Sequence, residues 1–222
     1  MSTFKAILFD MDGTLIDSEL HWITAETKFG EKFNIPFSWE WTKLINGKSL
    51  MESSKMYKEH HNLPHTVEEI LAHKVNCSDA VYTDHALPLV GADDLLRRVK
   101  KQNDKKTAVA SGASLARINQ IVDRFSWHDY FDALISTDHV GYVGKPDPAI
   151  FLYAAKELGV SPSDCVVIED SENGLNAAKR AGMKCVVRFD DRWSHGDYSG
   201  ADLIVNSLDD KNIYNFLGIK YA

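Results

Sequence analysis

The sequence predicts an α/β fold: a doubly wound parallel sheet with a helical segment inserted soon after its first strand. Three observations predict it. Short apolar runs without alternation, such as Ala6-Ile7-Leu8-Phe9 and Val166-Val167-Ile168, suit strands covered on both faces. From about Asp84 onward, β-rich runs alternate with helical stretches, as successive βαβ units require. Residues 17–85 break that rhythm, with helical patterns and no convincing β-rich run.

Taken in order, the first strand is expected over residues 4–9. The insert follows, and in it Trp22, Ala25, Phe29 and Phe33 recur at helical spacing, the stripe of a helix facing a core. Turn or hinge chemistry lies at 34–36, 62–64 and 87–91. Helices are then expected at 93–101, 114–125, 148–158 and 173–181, interleaved with strands at 107–110, 133–136, 165–168, 185–187 and 203–205. Gly159 and Gly182 sit just past helical runs, as C-terminal caps commonly do. These assignments give a sheet of about six strands, an α/β core formed by 1–16 and 86–222, and a helical insert at 17–85.

Composition narrows the function classes. With 222 residues, 44% apolar, the chain can bury one large core and a smaller inserted unit. A formal charge of -7 disfavours broad binding to nucleic acid or to an anionic membrane. The first apolar run is interrupted by Asp10, which fails the pattern of a signal peptide or membrane span, so cytoplasmic residence is expected. Cys77, Cys165 and Cys185 are odd in number and widely spaced, which indicates buried, reduced thiols rather than a disulfide framework or structural zinc site.

Four polar signatures follow predicted strands. Asp10-Met11-Asp12-Gly13-Thr14 puts two acids at a strand's carboxyl end, where open α/β sheets place ligands. Ser111-Gly112-Ala113-Ser114 joins a strand to a helix start, a natural seat for phosphate oxygens as well as for a helix cap. In Gly144-Lys145-Pro146-Asp147-Pro148 the prolines restrain the base of a lysine able to offset nearby carboxylates and contact a phosphate. Glu169-Asp170 offers hard oxygen ligands suited to Mg²⁺, or acids serving the helix start that follows.

Together and in this order, these signatures resemble the haloacid dehalogenase superfamily, in the branch of β-phosphoglucomutase and related sugar-phosphate phosphatases. The resemblance spans nearly the whole chain and implies a Rossmann-like core with an α-helical cap domain. It implies a phosphoric monoester hydrolase in which Asp10 is the nucleophile, forming an aspartyl-phosphate, and Asp12 is the acid/base. Mg²⁺ would be held by Asp10, the Asp12 carbonyl and Asp170, with Glu169 supporting it directly or through water. Ser111, Gly112 and Lys145 would hold the transferring phosphoryl group. The expected partner is a small phosphorylated metabolite, with no nucleic acid or membrane, and the expected state is a monomer.

The β-phosphoglucomutase reading requires a histidine and a cap arginine that the resemblance aligns with Trp22 and Leu50, the latter just after Gly47-Lys48-Ser49. Both departures favour hydrolysis over mutase chemistry. A phosphate-binding regulator would have no use for Asp12, and a dehalogenase none for Mg²⁺-type acids at Glu169 and Asp170. His21, Lys48 and Lys74 are candidate cap contacts to substrate. His60, His61, His65 and His73 match no zinc template and are expected in a solvated cap loop. The polar stretch 190–200 is expected to be a surface loop without a role.

Overall fold

The structure, a computed structural model, describes residues 4–45, 48–102 and 104–221; Gly47 of the loop before Lys48 lies outside them. The chain runs through β1 Ala6–Phe9, then α1 Glu19–Phe33, α2 Trp39–Ile45, α3 Leu50–His60 and α4 Val67–Ala80. It continues through α5 Ala92–Lys101, β2 Lys106–Ser111, α6 Leu115–Arg124, β3 Ala133–Ser136 and α7 Ala149–Leu158. Last come β4 Cys165–Glu169, α8 Glu172–Arg180, β5 Lys184–Arg188, β6 Leu203–Val205 and α9 Lys211–Leu217.

All six strands are parallel, in the order β3-β2-β1-β4-β5-β6. Strand order reverses at β1, so the crevice expected of such sheets opens at the carboxyl ends of β2, β1 and β4. Register places Phe9 beside Val109 and Ile168, which sets Asp10, Ala110 and Glu169 at one level at the carboxyl ends of their strands.

Side chains alternate across the strands and build two cores. Ile7, Phe9, Val109, Val166, Ile168 and Val186 face α5, α6 and α9. Ala6, Leu8, Ala108, Ala110, Val167 and Val187 face α7 and α8. This double cover is why the strands read as unbroken apolar runs.

Between β1 and α5, the described residues of the insert form α1 to α4 and a single π-helical turn, Val81–His85. Phe29, Ile45, Tyr57 and Ile70 bury a small core of their own there. The segments leading in and out lie side by side: Asp17 donates its N–H to the Leu87 carbonyl at 2.8 Å, and Leu89 donates to Leu15 at 2.9 Å. No helix among the described residues is long and apolar enough to cross a membrane.

Two expectations are corrected. The four histidines are only partly in a loop: His61 and His65 lie in the connection from α3 to α4, whereas His60, which is exposed, ends α3 and His73 lies on α4, and His61, His65 and His73 are half-buried. Their rings pack on Trp41, Tyr57, Phe33 and Phe29 at centroid distances of 4.5 to 5.7 Å. Imidazoles here act as flat packing groups, which a polar count along the sequence does not register. The stretch 190–200 also folds back, burying Trp193 and Tyr198. Asp190 accepts hydrogen bonds from Arg188 and Arg192, and Arg188 reaches the Gly13 carbonyl at 3.3 Å, so this loop braces the first signature. Cys165 and Cys185 are buried, whereas Cys77 is only partly so.

Candidate active site

Asp10 leaves β1 with its N–H bonded to the Ile168 carbonyl at 2.9 Å, which locks it to the end of β4. Lys145, from the loop before α7, is buried and donates to Asp10 Oδ1 and, at 2.6 Å, to Glu169 Oε1. The other Glu169 oxygen accepts from the Asp170 and Ser171 amides and the Ser171 hydroxyl, each at 2.9 Å. Glu169 is therefore held on both oxygens.

Two glycines make this packing possible. Gly13 turns the chain with φ +72°, and a Cβ there would strike the Asp170 carboxylate. A Cβ on Gly174 would fall on the Glu169 carboxylate. Ser171 caps α8, accepting from the Gly174 amide at 3.0 Å, so the helix start approaches the acids closely.

Carboxylate oxygens of Asp10, Glu169 and Asp170 lie within 4.8 Å of one another. Burial pushes the Asp10 carboxyl well above its ordinary range, against the pull of Lys145. Asp170 is raised by burial and then by Glu169, Glu19 and Asp10. Glu19, at the start of α1, is pushed to about 8 by burial and the acids around it. Burial also works against the Lys145 ammonium, but Asp10 and Glu169 outweigh it and hold the lysine charged. One ammonium among this many crowded carboxyls leaves an excess of negative charge, and hard oxygen donors in that setting fit a divalent cation such as Mg²⁺.

Asp12 faces elsewhere. Its Oδ2 accepts from the Tyr82 hydroxyl at 2.9 Å and its Oδ1 from Trp22 Nε1 at 3.3 Å. Its carboxylate is therefore outside the acid cluster, so as a metal residue Asp12 would act only through its main-chain carbonyl. Burial raises the Asp12 carboxyl, while the bonds from Tyr82 and Trp22 oppose that rise.

Asp10, Asp12, Ser111, Gly112, Glu169 and Asp170 line one cavity of about 110 Å³, roofed by residues of α1 to α4. Ser111 ends β2 and accepts from the Ala113 amide at 3.1 Å. Of the cap candidates, Lys48 and Lys74 line the cavity, but His21 stacks on His85 at 5.0 Å away from it. Trp22 belongs to the predicted apolar stripe yet also supplies a cavity wall.

The sequence reading missed Glu26, Tyr82 and Arg117. Glu26 left a signal, an acid one helical turn from Trp22 on the apolar face of α1. Tyr82 and Arg117 left none, since their partners lie 70 and 39 positions away.

A family model described as haloacid dehalogenase-like hydrolase matches residues 4–182. The chain belongs to that family. The bifunctional riboflavin kinase/FMN phosphatase of Arabidopsis thaliana is 34% identical over 206 residues, covering 92% of this chain, which spans only 53% of that protein. The probable pseudouridine-5'-phosphatase of Drosophila melanogaster is 33% identical, over 91% of this chain and 89% of its own. Among solved structures, β-phosphoglucomutase from Clostridium difficile superposes with a TM-score of 0.81 at 26% identity, covering 97% of this chain and 98% of that one. The chain is thus a haloacid dehalogenase-like hydrolase whose relatives include proteins named as phosphatases.

Proposed function

We propose that the protein hydrolyses a small phosphomonoester, a sugar phosphate, through an aspartyl-phosphate on Asp10, with Mg²⁺ as cofactor. The observation that carries this reading is the Lys145 ammonium bonded to both Asp10 and Glu169 beside Asp170, with Asp12 two residues from Asp10 and held by Tyr82 and Trp22. Asp10 attacks phosphorus, the bond to the leaving oxygen breaks, and Asp12 delivers its proton to that oxygen. Asp12, now ionised, takes a proton from water, whose oxygen attacks phosphorus and frees Asp10 and inorganic phosphate.

Ser111 and the Gly112 main chain face the phosphoryl oxygens, and Lys145 contributes charge to them. Asp10, Asp170 and the Asp12 carbonyl would hold Mg²⁺, with Glu169 in support, and the bound ion supplies positive charge against the phosphoryl oxygens. The need is large: two unit charges about 4 Å apart interact by roughly 4 kcal/mol at an effective dielectric near 20. Residues 17–85 serve as a cap over the core of 1–16 and 86–222, excluding water while the substrate is held.

Mutase chemistry is less well supported. Trp22 bonds Asp12, and Leu50 lines the cavity where an arginine for a second phosphate would be needed. The test is phosphate release from a panel of sugar phosphates with Mg²⁺. Turnover is expected in the natural protein and its near-complete loss in Asp10→Asn; equal turnover in that variant overturns the mechanism.

A further inference from the structure

The cavity roof contains a buried ion pair that catalysis does not use. Lys74 on α4 bonds Glu26 on α1, and both side chains are buried and line the cavity. Glu26 also accepts the Tyr57 hydroxyl at 2.8 Å, and the Lys74 ammonium lies 5.0 and 4.7 Å from the Phe29 and Tyr57 ring centres. An adjoining chamber of about 380 Å³ shares Glu19, Thr42, Lys48 and Ser171 with the cavity and is further walled by Trp39, Trp193 and His195.

The other lysines and arginines of these walls are matched in the same way. Lys48 pairs with Glu52 at 2.7 Å, Arg117 with Asp79 at 3.2 Å and Lys43 with Glu172 at 3.1 Å. Among the described residues, the leaving-group side of the cavity therefore offers no lysine or arginine without its own carboxylate. Arg117 is buried and is also held by the Ser78 hydroxyl and the Val75 carbonyl, but the Lys48 and Lys43 pairs are exposed enough to exchange partners at little cost. The Glu26–Lys74 pair is not, because capturing Lys74 would strand a buried carboxylate. A lysine has three donor hydrogens, so Lys74 in its pair can still donate to a neutral oxygen.

We propose that Glu26, by neutralising Lys74, is a specificity-determining residue that restricts the substrate to monophosphates whose remainder is uncharged and hydroxyl-bearing. This rests on the phosphatase reading above. A second phosphate or a carboxylate on the leaving group meets Glu26, and the buried cations of the wall, Lys74 and Arg117, are already paired with carboxylates.

The experiment compares kcat/KM, in the full chain with Mg²⁺, for the sugar monophosphate that is hydrolysed best, its bisphosphate and its aldonic-acid phosphate. The natural protein is expected to prefer the monophosphate by at least about tenfold over both. Glu26→Gln should shrink that ratio by about tenfold or more by freeing the Lys74 charge, whereas Lys74→Met should not shrink it. Comparable use of the doubly anionic compounds by the natural protein overturns the proposal, and this arm decides it even if Glu26→Gln fails to fold. An unchanged ratio in folded Glu26→Gln also overturns it. No release from any compound, p-nitrophenyl phosphate included, overturns the phosphatase reading and this inference with it.

Discussion

Asp12 meets two opposing demands. As an acid it must carry a proton near neutral pH, and burial favours that; as a base it must accept one, and the Tyr82 and Trp22 donors favour the charged form. The balance between them sets where it titrates. In Tyr82→Phe one donor is gone, so the protonated form gains and the pH limb of kcat/KM that belongs to Asp12 should move upward by about one unit. A pH-rate profile checks this, and an unmoved limb would separate Tyr82 from the proton transfer. Tyr82 could not be found from the sequence, because a tyrosine in a helical stretch ordinarily reads as packing.

Among the elements, the junction of β4 and α8 carries the tightest constraint. Glu169 ends the strand, and Gly174 lies in the first turns of the helix directly over its carboxylate. Gly174→Ala should displace Glu169, and with it Lys145, raising the Mg²⁺ concentration needed for half-maximal rate by about 10- to 100-fold. A metal titration of activity measures it, with circular dichroism showing that α8 persists. This junction was half legible. Glu169 and Asp170 stand out because they end an apolar run, a local property. Gly174 is four residues past Asp170 and reads as an ordinary helix residue until the carboxylate beneath it is seen.

At the scale of the whole molecule, the loop from β5 toward β6 ties the sheet to the first signature through Arg188, Asp190 and Arg192. Side-chain hydrogen bonds from Arg192, with both arginine charges, pull the Asp190 carboxyl down from 3.8 to about 2. A lowered folded value means that the stabilisation is present above about pH 4 and is lost as pH falls toward 2. Asp190→Asn should therefore cost on the order of 1–2 kcal/mol at pH 7 and progressively less at pH 3, read from urea unfolding at both values. A gap that does not narrow on acidification would show that the ion pairs do not brace the fold.

The sequence by itself determined the order of strands and helices, the parallel sheet and the acids at its strand ends. Those features live in short windows, where the spacing of apolar residues and the step from an apolar run to an acid are visible directly. Only the tertiary structure decided that Lys74 belongs to Glu26, 48 positions earlier, that Arg117 reaches Ser78, and that Arg188, held by Asp190, reaches Gly13. Charge matching across such separations depends on how helices cross above the sheet, and that geometry is set by packing of the assembled chain rather than by any local pattern.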